Sequence, residues 1–228
     1  MSPDGRRLAF DGAASGQRPM VNFDVQVMNV DGTERIRLTS EPAKDIDAQW
    51  SPDGTLLTYT RQTDDSGRET TIWTTRPDGT RKTRLAAGQL ARWAPDGRHI
   101  VFGHWIGDRA SLFTLDVRTR RVTRLTSSPS YDEPAGWSRD GATILFTRDS
   151  PGSGSDIYSI AADGTGLRRL SGGPSDDYAC SFSPNGREIL FTSNRTGHDQ
   201  VFSMRADGTK PRNLSRSVTD DEATQWHS

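Results

Sequence analysis

One skeleton returns along this chain at nearly constant intervals: an aspartate, four residues, an aromatic residue, then Ser-Pro-Asp-Gly. It is complete at Asp45–Gly54 and recurs with changes around Trp93, Trp137 and Phe182, and a half copy ends at Trp226. Successive aromatic residues are separated by 43 to 45 positions. A period of this length is typical of four-stranded propeller blades and excludes helical solenoids of shorter repeat.

The segments inside each repeat have the character of β-strands. Runs such as Ile144–Thr147 and Asp156–Ile160 are short, rich in β-branched or aromatic residues, and bounded by turn-forming residues. No repeat contains a periodic segment of helix length. The sequence therefore predicts an all-β fold, a β-propeller of four-stranded antiparallel blades forming a single domain over 1–228. The predicted units are approximately 2–50, 51–93, 94–137, 138–182 and 183–226.

Five units predict five blades, and the ends of the chain suggest how the ring closes. The chain begins just after the point where an innermost strand would end, and it finishes with one spare innermost strand, 223–226. We expect this C-terminal strand to pair with the N-terminal blade, which would remove exposed sheet edges. The alternative is an open fragment of a six-bladed parent.

Composition limits the possible partners and compartments. The 29 basic and 30 acidic residues give a net charge of -1, so no global field favours nucleic acid or an anionic membrane. The sequence contains no run of about 18 apolar residues and no charged-then-apolar leader. We expect a monomer without membrane insertion, cytoplasmic as the sequence is written, and periplasmic or secreted if a leader has been removed.

The turn chemistry divides the loops into two sets. Ser-Pro-Asp-Gly and Asp-Gly-Thr are tight turns that reverse the chain at one end of each meander, so the variable loops and the acidic segments share the other end. Variable loops on a rigid scaffold are where binding usually occurs. The predicted ligand-binding residues at this channel mouth are Asp45, Asp47, Gln89, Arg92, Trp105, Asp132, Glu133, Asp177, Tyr178, Asp221 and Glu222. The 11–24 loop is expected to act as a partial cover.

The acidic positions have two interpretations. Carboxylates that converge on a channel suit a basic peptide, a small polar ligand or a cation such as calcium, although no cofactor is otherwise implied. The more general interpretation is that the aspartate five residues before each aromatic residue caps its own loop by accepting backbone N–H bonds. Among neighbouring residues, Asp176 and Asp220 add to the acidic set.

Signals for catalysis are weak. The sequence contains no Gly-x-Ser-x-Gly elbow, no His-Glu-x-x-His and no phosphate loop. His104 and His198 fall in loops of the candidate face, where a single histidine is usually only solvated. The recurring Trp and Phe residues are expected to fill the wedge between blades and not to form a stacking platform.

Several motifs occur together at fixed spacing and resemble one known family. These are Trp50-Ser-Pro-Asp-Gly54, the segment 191–202 with the sequence Phe-Thr-Ser-Asn-Arg-Thr-Gly-His-Asp-Gln-Val-Phe, Asp207-Gly-Thr209, and Leu214-Ser215. Together they resemble TolB-type β-propeller repeats, which are WD-like, and the resemblance covers all five units. It implies the fold and a bacterial source. Such repeats occur in the periplasmic TolB protein and in propellers that cover some serine peptidases.

These observations favour a non-catalytic binding or scaffold propeller that recognises a protein, a peptide or a small polar ligand at the channel mouth. The alternative is a propeller enzyme or an enzyme-accessory domain, a lyase, hydrolase or cyclase, that uses the acidic mouth and a metal ion.

Overall fold

The computed structural model describes residues 1–13, 22–127 and 129–222. Within these residues the chain contains β-strands and turns but no helix. The strands form five sheets, four with four strands and one with three in the described part of the chain. The fold is a five-bladed β-propeller, which confirms the all-β fold class predicted from the repeat.

Within each sheet, strands that follow one another in the chain are neighbours. The first sheet contains β1 (Arg7–Ala13), β2 (Phe23–Asn29) and β3 (Ile36–Arg37). The second contains β4 (Lys44–Trp50), β5 (Leu57–Gln62), β6 (Thr70–Thr75) and β7 (Thr83–Ala87). The third contains β8 (Gln89–Trp93), β9 (His99–Ile106), β10 (Arg109–Asp116) and β11 (Val122–Arg124). The fourth contains β12 (Tyr131–Trp137), β13 (Thr143–Ser150), β14 (Gly154–Ala161) and β15 (Arg168–Arg169). The fifth contains β16 (Asp177–Phe182), β17 (Glu188–Ser193), β18 (Gln200–Arg205) and β19 (Arg212–Asn213).

The chain divides into two compact units. The first consists of Met1–Trp105 and Leu115–Val122, and the second of Ile106–Thr114 and Thr123–Ser228. Each unit has its own buried cluster of apolar side chains. In the first unit the cluster is Val25, Val27, Leu38, Trp50, Leu57 and Tyr59. In the second it is Leu145, Ile157, Leu170, Ile189, Phe191, Phe202 and Met204, with Phe182 packed against it. The single domain over 1–228 stays a prediction.

The predicted tight turns form as their chemistry requires. In the Ser-Pro-Asp-Gly turn, Ser51 Oγ donates to Asp53 Oδ1 at 2.6 Å and accepts the Leu56 backbone N–H at 2.9 Å. Gly54 has a φ of +69°, a conformation that glycine adopts without steric cost. In the Asp-Gly-Thr turn, Asp78 Oδ1 accepts both the backbone N–H and the hydroxyl of Thr80. These side-chain bonds hold the sheets in register.

The first strand bulges at one place in each of the second to fifth sheets. The register shifts fall between Ile46 and Gln49, Gln89 and Arg92, Pro134 and Gly136, and Ala179 and Ser181. A bulge leaves a backbone group unpaired. Threonine hydroxyls supply partners: Thr60 Oγ1 accepts the Leu90 N–H at 3.1 Å, and Thr147 Oγ1 accepts the Ala179 N–H at 2.9 Å. The bulge is thus a recurring structural feature of the repeat.

The last strand of each sheet is short and basic. Strands β3, β15 and β19 contain two residues, β11 contains three and β7 contains five. Each of them contains at least one arginine, and most of their residues are exposed. The ladder therefore ends after a few hydrogen bonds on this side of every sheet.

Some sequence predictions fall differently or cannot be located. Each predicted unit boundary lies between the first and second strands of a sheet, so the sequence units are offset by one strand from the sheets. The predicted closing strand 223–226 and most of the 11–24 cover loop lie outside the described residues. His104 and Trp105 were expected in a loop, but β9 continues to Ile106 and turns only at Gly107, which has a φ of +62°.

Two turn glycines test how tightly the turns pack. A Cβ on Gly208 would lie 2.6 Å from the Leu170 carbonyl oxygen, a backbone atom that cannot move aside, whereas a Cβ on Gly186 would meet nothing within 4 Å. Both residues have positive φ. We expect Gly186→Ala to lower the free energy of unfolding by about 1 kcal/mol and Gly208→Ala by about 3 kcal/mol. Urea denaturation measures both, and equal losses would contradict the close packing at Gly208.

Candidate functional site

Two of the predicted acidic residues form buried ion pairs across the first two strands of their sheets. Asp45 lies directly opposite Arg61, and Asp132 lies directly opposite Arg148. Asp45 accepts from Arg61 Nε and Nη2, both at 2.7 Å. Asp132 accepts from the same two nitrogens of Arg148 at 2.6 and 2.9 Å. Because the geometry is bidentate and both carboxylates are buried, these are among the stronger polar interactions a sheet can contain.

The fifth sheet makes the same pair by a different route. Asp177 lies opposite Ser193, and its arginine comes from the following loop. Arg195 Nη2 donates to both Asp177 oxygens at 3.0 Å, while Nε donates to Ser193 Oγ at 2.8 Å. The Arg195 side chain is 28% exposed, compared with 9% for Arg148. The fifth sheet thus keeps the pair with an arginine that lies two residues after the position opposite the aspartate.

Each of these guanidinium groups covers a cross-strand pair of aromatic rings. Arg61 lies over Tyr59 and Trp73, with its Cζ 5.8 and 4.9 Å from the ring centroids. The other two arginines repeat this arrangement over Phe146 with Tyr158 and over Phe191 with Phe202. The rings of each pair are stacked. A cation above two ring faces gains electrostatic attraction in addition to its ion pair.

The third sheet replaces both members of the pair. Gly88 stands where the other sheets have the aspartate, five residues before the aromatic residue, and His104 stands two residues after Phe102, where Arg61 follows Tyr59. A Cβ on Gly88 would lie 2.5 Å from the Phe102 ring. Burial lowers the pKa of His104. Because the third sheet lacks both the aspartate and the arginine, neither charge is left buried without a counter-ion.

These contacts give the buried aspartates a structural role that neither sequence interpretation described. Asp45, Asp132 and Asp177 accept from arginine side chains and not from the backbone of their own loops. Loop capping occurs at neighbouring positions instead: Asp176 accepts the Ser155 N–H, and Asp220 accepts the Asp199 N–H. All three ion-paired aspartates are at most 1% exposed. Ligand contact at these three positions stays an untested prediction.

The residue after each aspartate points the other way, because side chains alternate along a strand. This position is occupied by four residue types in five repeats, namely Ile46, Gln89, Glu133, Tyr178 and Glu222. Glu133 and Glu222 are exposed, and Tyr178 is 45% exposed. Ile46 and Gln89 are half-buried. The predicted site residues thus separate into a buried ion-paired set and an exposed set that varies from one repeat to the next.

Asp47 and Arg92, both predicted site residues, form an ion pair in the first unit. Arg92 Nη1 donates to both Asp47 oxygens, at 2.8 and 2.9 Å. Burial raises the pKa of Asp47, and the nearby charge of Asp11 adds to this. Asp47 has a φ of +57°, but Leu90 at the same bulge position has a φ of +55°. The left-handed backbone therefore belongs to the bulge and is not a sign of function.

The remaining predicted residues make other contacts. Trp105 is half-buried, and the Arg68 guanidinium lies 5.4 Å from its ring centroid. The Asp221 backbone N–H donates to the Asp199 carbonyl at 2.7 Å, so this residue holds the end of the described chain against the β17–β18 loop. Tyr178 lies in β16.

Sequence reasoning missed the arginines that complete the site. Arg61 and Arg148 each follow an aromatic residue by two positions in the second strand, so a repeated aromatic-x-Arg pattern was available as a signal. Glu41 was also missed: it accepts from Arg61 Nη2 at 2.8 Å and from Lys82 Nζ at 3.0 Å. It adds a second carboxylate to the Arg61 pair.

The acidic residues do not assemble a metal centre in the part of the chain that the structure describes. There, no three His, Cys, Asp or Glu side chains lie close enough together to hold a metal ion. Calcium at the channel mouth stays an untested prediction. The same residues include no helix long and apolar enough to cross a membrane.

Comparison with known proteins supports the fold. The Tol-Pal system protein TolB of Francisella tularensis is 33% identical over 54 residues, which are 24% of this chain and 12% of that protein. The crystal structure of TolB from Acinetobacter baumannii matches with a TM-score of 0.75 and 19% identity, over 95% of this chain and 54% of that one. An oligogalacturonate lyase in complex with manganese matches with a TM-score of 0.71 and 16% identity, over 94% and 63%. No family model matches the chain.

The sheets and bulged first strands define the class of this protein as a repeat-built β-propeller. Its motifs, its sequence match and its structural likeness fit a β-propeller of the TolB type. The chain covers about half of the solved Acinetobacter structure, and the sequence match covers about an eighth of the Francisella protein. At 16% identity, the likeness to the lyase is one of fold alone.

The Asp132–Arg148 ion pair predicts that substitutions of the two residues have strongly non-additive effects on the free energy of unfolding. We expect Asp132→Asn and Arg148→Met each to lower the free energy of unfolding by about 3 kcal/mol, because each leaves a buried charge unpaired. The double variant should lose clearly less than the sum, measured by urea denaturation in a double-mutant cycle. The matched control is Arg212→Met, whose pair with Glu188 is exposed and should cost under about 1 kcal/mol. Additive losses would contradict direct pairing.

Glu41 predicts a dependence of stability on pH. Burial opposes its ionisation, but the Ser40 backbone N–H and Lys82, with the charge of Arg61, lower its pKa from 4.5 to about 2. A lowered pKa stabilises the fold above about pH 5, and this contribution is lost as the pH falls towards 2.

We expect Glu41→Gln to cost roughly 1 kcal/mol at pH 7, a value reduced because 37% of the side chain is exposed to screening solvent. The difference from the parent protein should shrink between pH 5 and pH 2, measured as the melting temperature. Glu34→Gln, an exposed change in the same unit, is the control. A difference that does not depend on pH would contradict the assignment.

Proposed function

We propose that this chain is a non-catalytic binding or scaffold module that recognises a basic peptide segment of a partner protein. The observation that carries the proposal is the division of the first strands into two sets of side chains. The buried aspartates are tied to arginines and form a framework shared by three sheets. The next residue along the strand varies among the repeats, and a varying surface on a constant frame suits recognition.

The exposed set in the second unit has the chemistry for a basic peptide. Glu133 and Glu222 are exposed carboxylates, and Tyr178 presents 45% of its surface to solvent. A tyrosine ring accepts a lysine or arginine side chain by cation–π contact, and the carboxylates attract the same groups. Strands β12 and β16, which carry Glu133 and Tyr178, pack against each other in this unit. The small polar ligand considered from the sequence is the second ligand class for these side chains.

The relatives support a protein partner and an exported location. The matched relative is named as a protein of the Tol-Pal system. By this likeness we propose that the chain functions in the periplasm, the alternative that the sequence left open, and the cytoplasmic expectation receives no support from these relatives. The likeness to a lyase concerns the fold, so an enzymatic role is kept as an outcome of the test.

The test uses charge reversal at the exposed carboxylates and a matched control. We expect Glu133→Lys and Glu222→Lys each to weaken binding of a lysine- and arginine-containing peptide series by about tenfold, since each replaces an attraction by a repulsion. Fluorescence anisotropy of labelled peptides, with neutral peptides for comparison, gives the affinities. The control is Glu34→Lys, because the equivalent turn position in the fifth sheet is already Lys210 at nearly the same φ.

Three results would count against the proposal. The first is that no peptide binds the parent protein with saturation. The second is that Glu34→Lys weakens binding as much as the two site variants do. The third is turnover of a polysaccharide or peptide substrate that the Glu133 or Glu222 variants abolish, which would place the protein among the propeller enzymes.

A further inference from the structure

A pocket lies at the end of the fifth sheet where the tight turns are. It has a volume of about 560 Å³ and is lined by Asn185, Arg187, Glu188, Arg205, Ala206 and Asp207. The turn before β17 and the turn after β18 form its walls, and the Ala206 backbone N–H donates to the Arg187 carbonyl at 2.9 Å. The volume is sufficient for a small ligand.

The two arginines of this pocket occupy positions that form an ion pair in the third sheet. There the Val117 N–H donates to the Arg98 carbonyl, the same bond that Ala206 makes with Arg187. Arg98 therefore corresponds to Arg187, and Asp116 corresponds to Arg205. Arg98 Nη2 lies 2.5 Å from Asp116 Oδ2. The fifth sheet thus has a second cation where the third sheet has the counter-ion.

The turn beside these arginines has also lost a negative charge. Asp4, Asp53, Asp96 and Asp140 occupy the third position of the four other turns, and Asn185 occupies it here. Asn185 Oδ1 still accepts from Ser183 Oγ at 2.8 Å and from the Arg187 N–H at 3.0 Å, so the turn keeps its geometry. Relative to the other turns, the exchange makes the pocket one charge more positive without changing its fold.

Further arginines approach the same turns. Arg139, which replaces the proline of its own turn, donates to the Pro184 carbonyl at 3.4 Å, and Arg168 donates to the Asp207 carbonyl. Hydrogen bonds from Thr209 lower the pKa of the Asp207 carboxyl, and the charges of Arg205 and Arg168 add to this.

The acidic side chains of the pocket are already engaged. Asp207 Oδ1 accepts from Thr209, and Glu188 accepts from Arg212 Nη2 at 2.6 Å. Among the described residues, neither Arg187 nor Arg205 makes a salt bridge. Both arginines are exposed at the wall of this pocket, so a multiply charged anion that enters it would be attracted by two guanidinium groups.

We propose that this pocket binds a phosphate-bearing anion, which takes the place that the Asp116 carboxylate holds in the third sheet. Arginine donates two parallel hydrogen bonds to a phosphate, so a pair of arginines suits a multiply charged oxyanion. The side-chain amide of Asn185 supplies an uncharged donor at the rim. This site is independent of the peptide-binding surface, because it lies at the other end of the sheet and uses none of the same residues.

The test measures binding of inorganic phosphate and pyrophosphate by isothermal titration calorimetry at constant ionic strength. We expect saturable binding by the parent protein and a loss of about tenfold or more in affinity for Arg187→Gln and Arg205→Gln. The matched control is Arg76→Gln, the corresponding position in the second sheet, where Thr55 takes the place of Arg187. It should change the affinity less than about twofold.

Arg205→Asp separates loss of binding from loss of folding. It recreates the Arg98–Asp116 arrangement in the fifth sheet, so we expect the melting temperature to be maintained or raised while phosphate binding disappears. Vesicles of phosphatidylcholine with and without phosphatidic acid distinguish a lipid headgroup from a soluble phosphate. Binding to the phosphatidic acid vesicles alone, lost in Arg205→Asp, would assign the anion to a lipid.

The proposal is overturned if neither phosphate, pyrophosphate nor the phosphatidic acid vesicles bind with saturation. It is equally overturned if Arg76→Gln weakens binding as much as Arg205→Gln, because binding would then follow net charge alone. Binding that survives Arg205→Asp would show that the anion lies elsewhere.

Discussion

The buried pair of aspartate and arginine is the interaction on which the first strands depend. It joins the beginning of the first strand to the end of the second. Its guanidinium group also lies over a pair of aromatic rings, so one arginine contacts both the carboxylate and the aromatic side chains of the sheet. Such a pair contributes little net stability over an apolar substitute, but losing one member is costly. The third sheet agrees with this, since Gly88 and His104 replace both members together.

A second polar pair follows the same rule in the first, third, fourth and fifth sheets, farther from the first strand. Asp24 pairs with Arg37 and Asp156 with Arg169, and each pair joins the last two strands of its sheet. In the fifth sheet both members are neutral, and Asn213 Nδ2 donates to Gln200 Oε1. In the third sheet the Arg124 guanidinium donates to Ser111 Oγ. The two residues of such a pair change together from one sheet to another, because a buried polar group requires a neighbour with which it can form a hydrogen bond.

The sequence was sufficient for the fold and for the turns, but not for the roles of the acidic residues. Period and turn chemistry are local, so Ser51 with Asp53, and Asp78 with Thr80, behave as their spacing predicts. The role of Asp45 depends on Arg61, sixteen residues away, and becomes visible only when the register places the two opposite each other. Arg195 is harder still, because Ser193 occupies the position opposite Asp177 and the arginine comes two residues later. The exposed position after each aspartate follows from strand alternation once the bulge is located.

The short last strands affect how readily one molecule can pair with another through its sheet edges. A sheet edge is a template on which a strand from another molecule can assemble, and β3, β15 and β19 offer only two residues each for such pairing. Their arginines would also have to be brought together with those of an incoming copy, at a cost in repulsion. The short, charged last strands therefore limit growth into larger sheets at these edges.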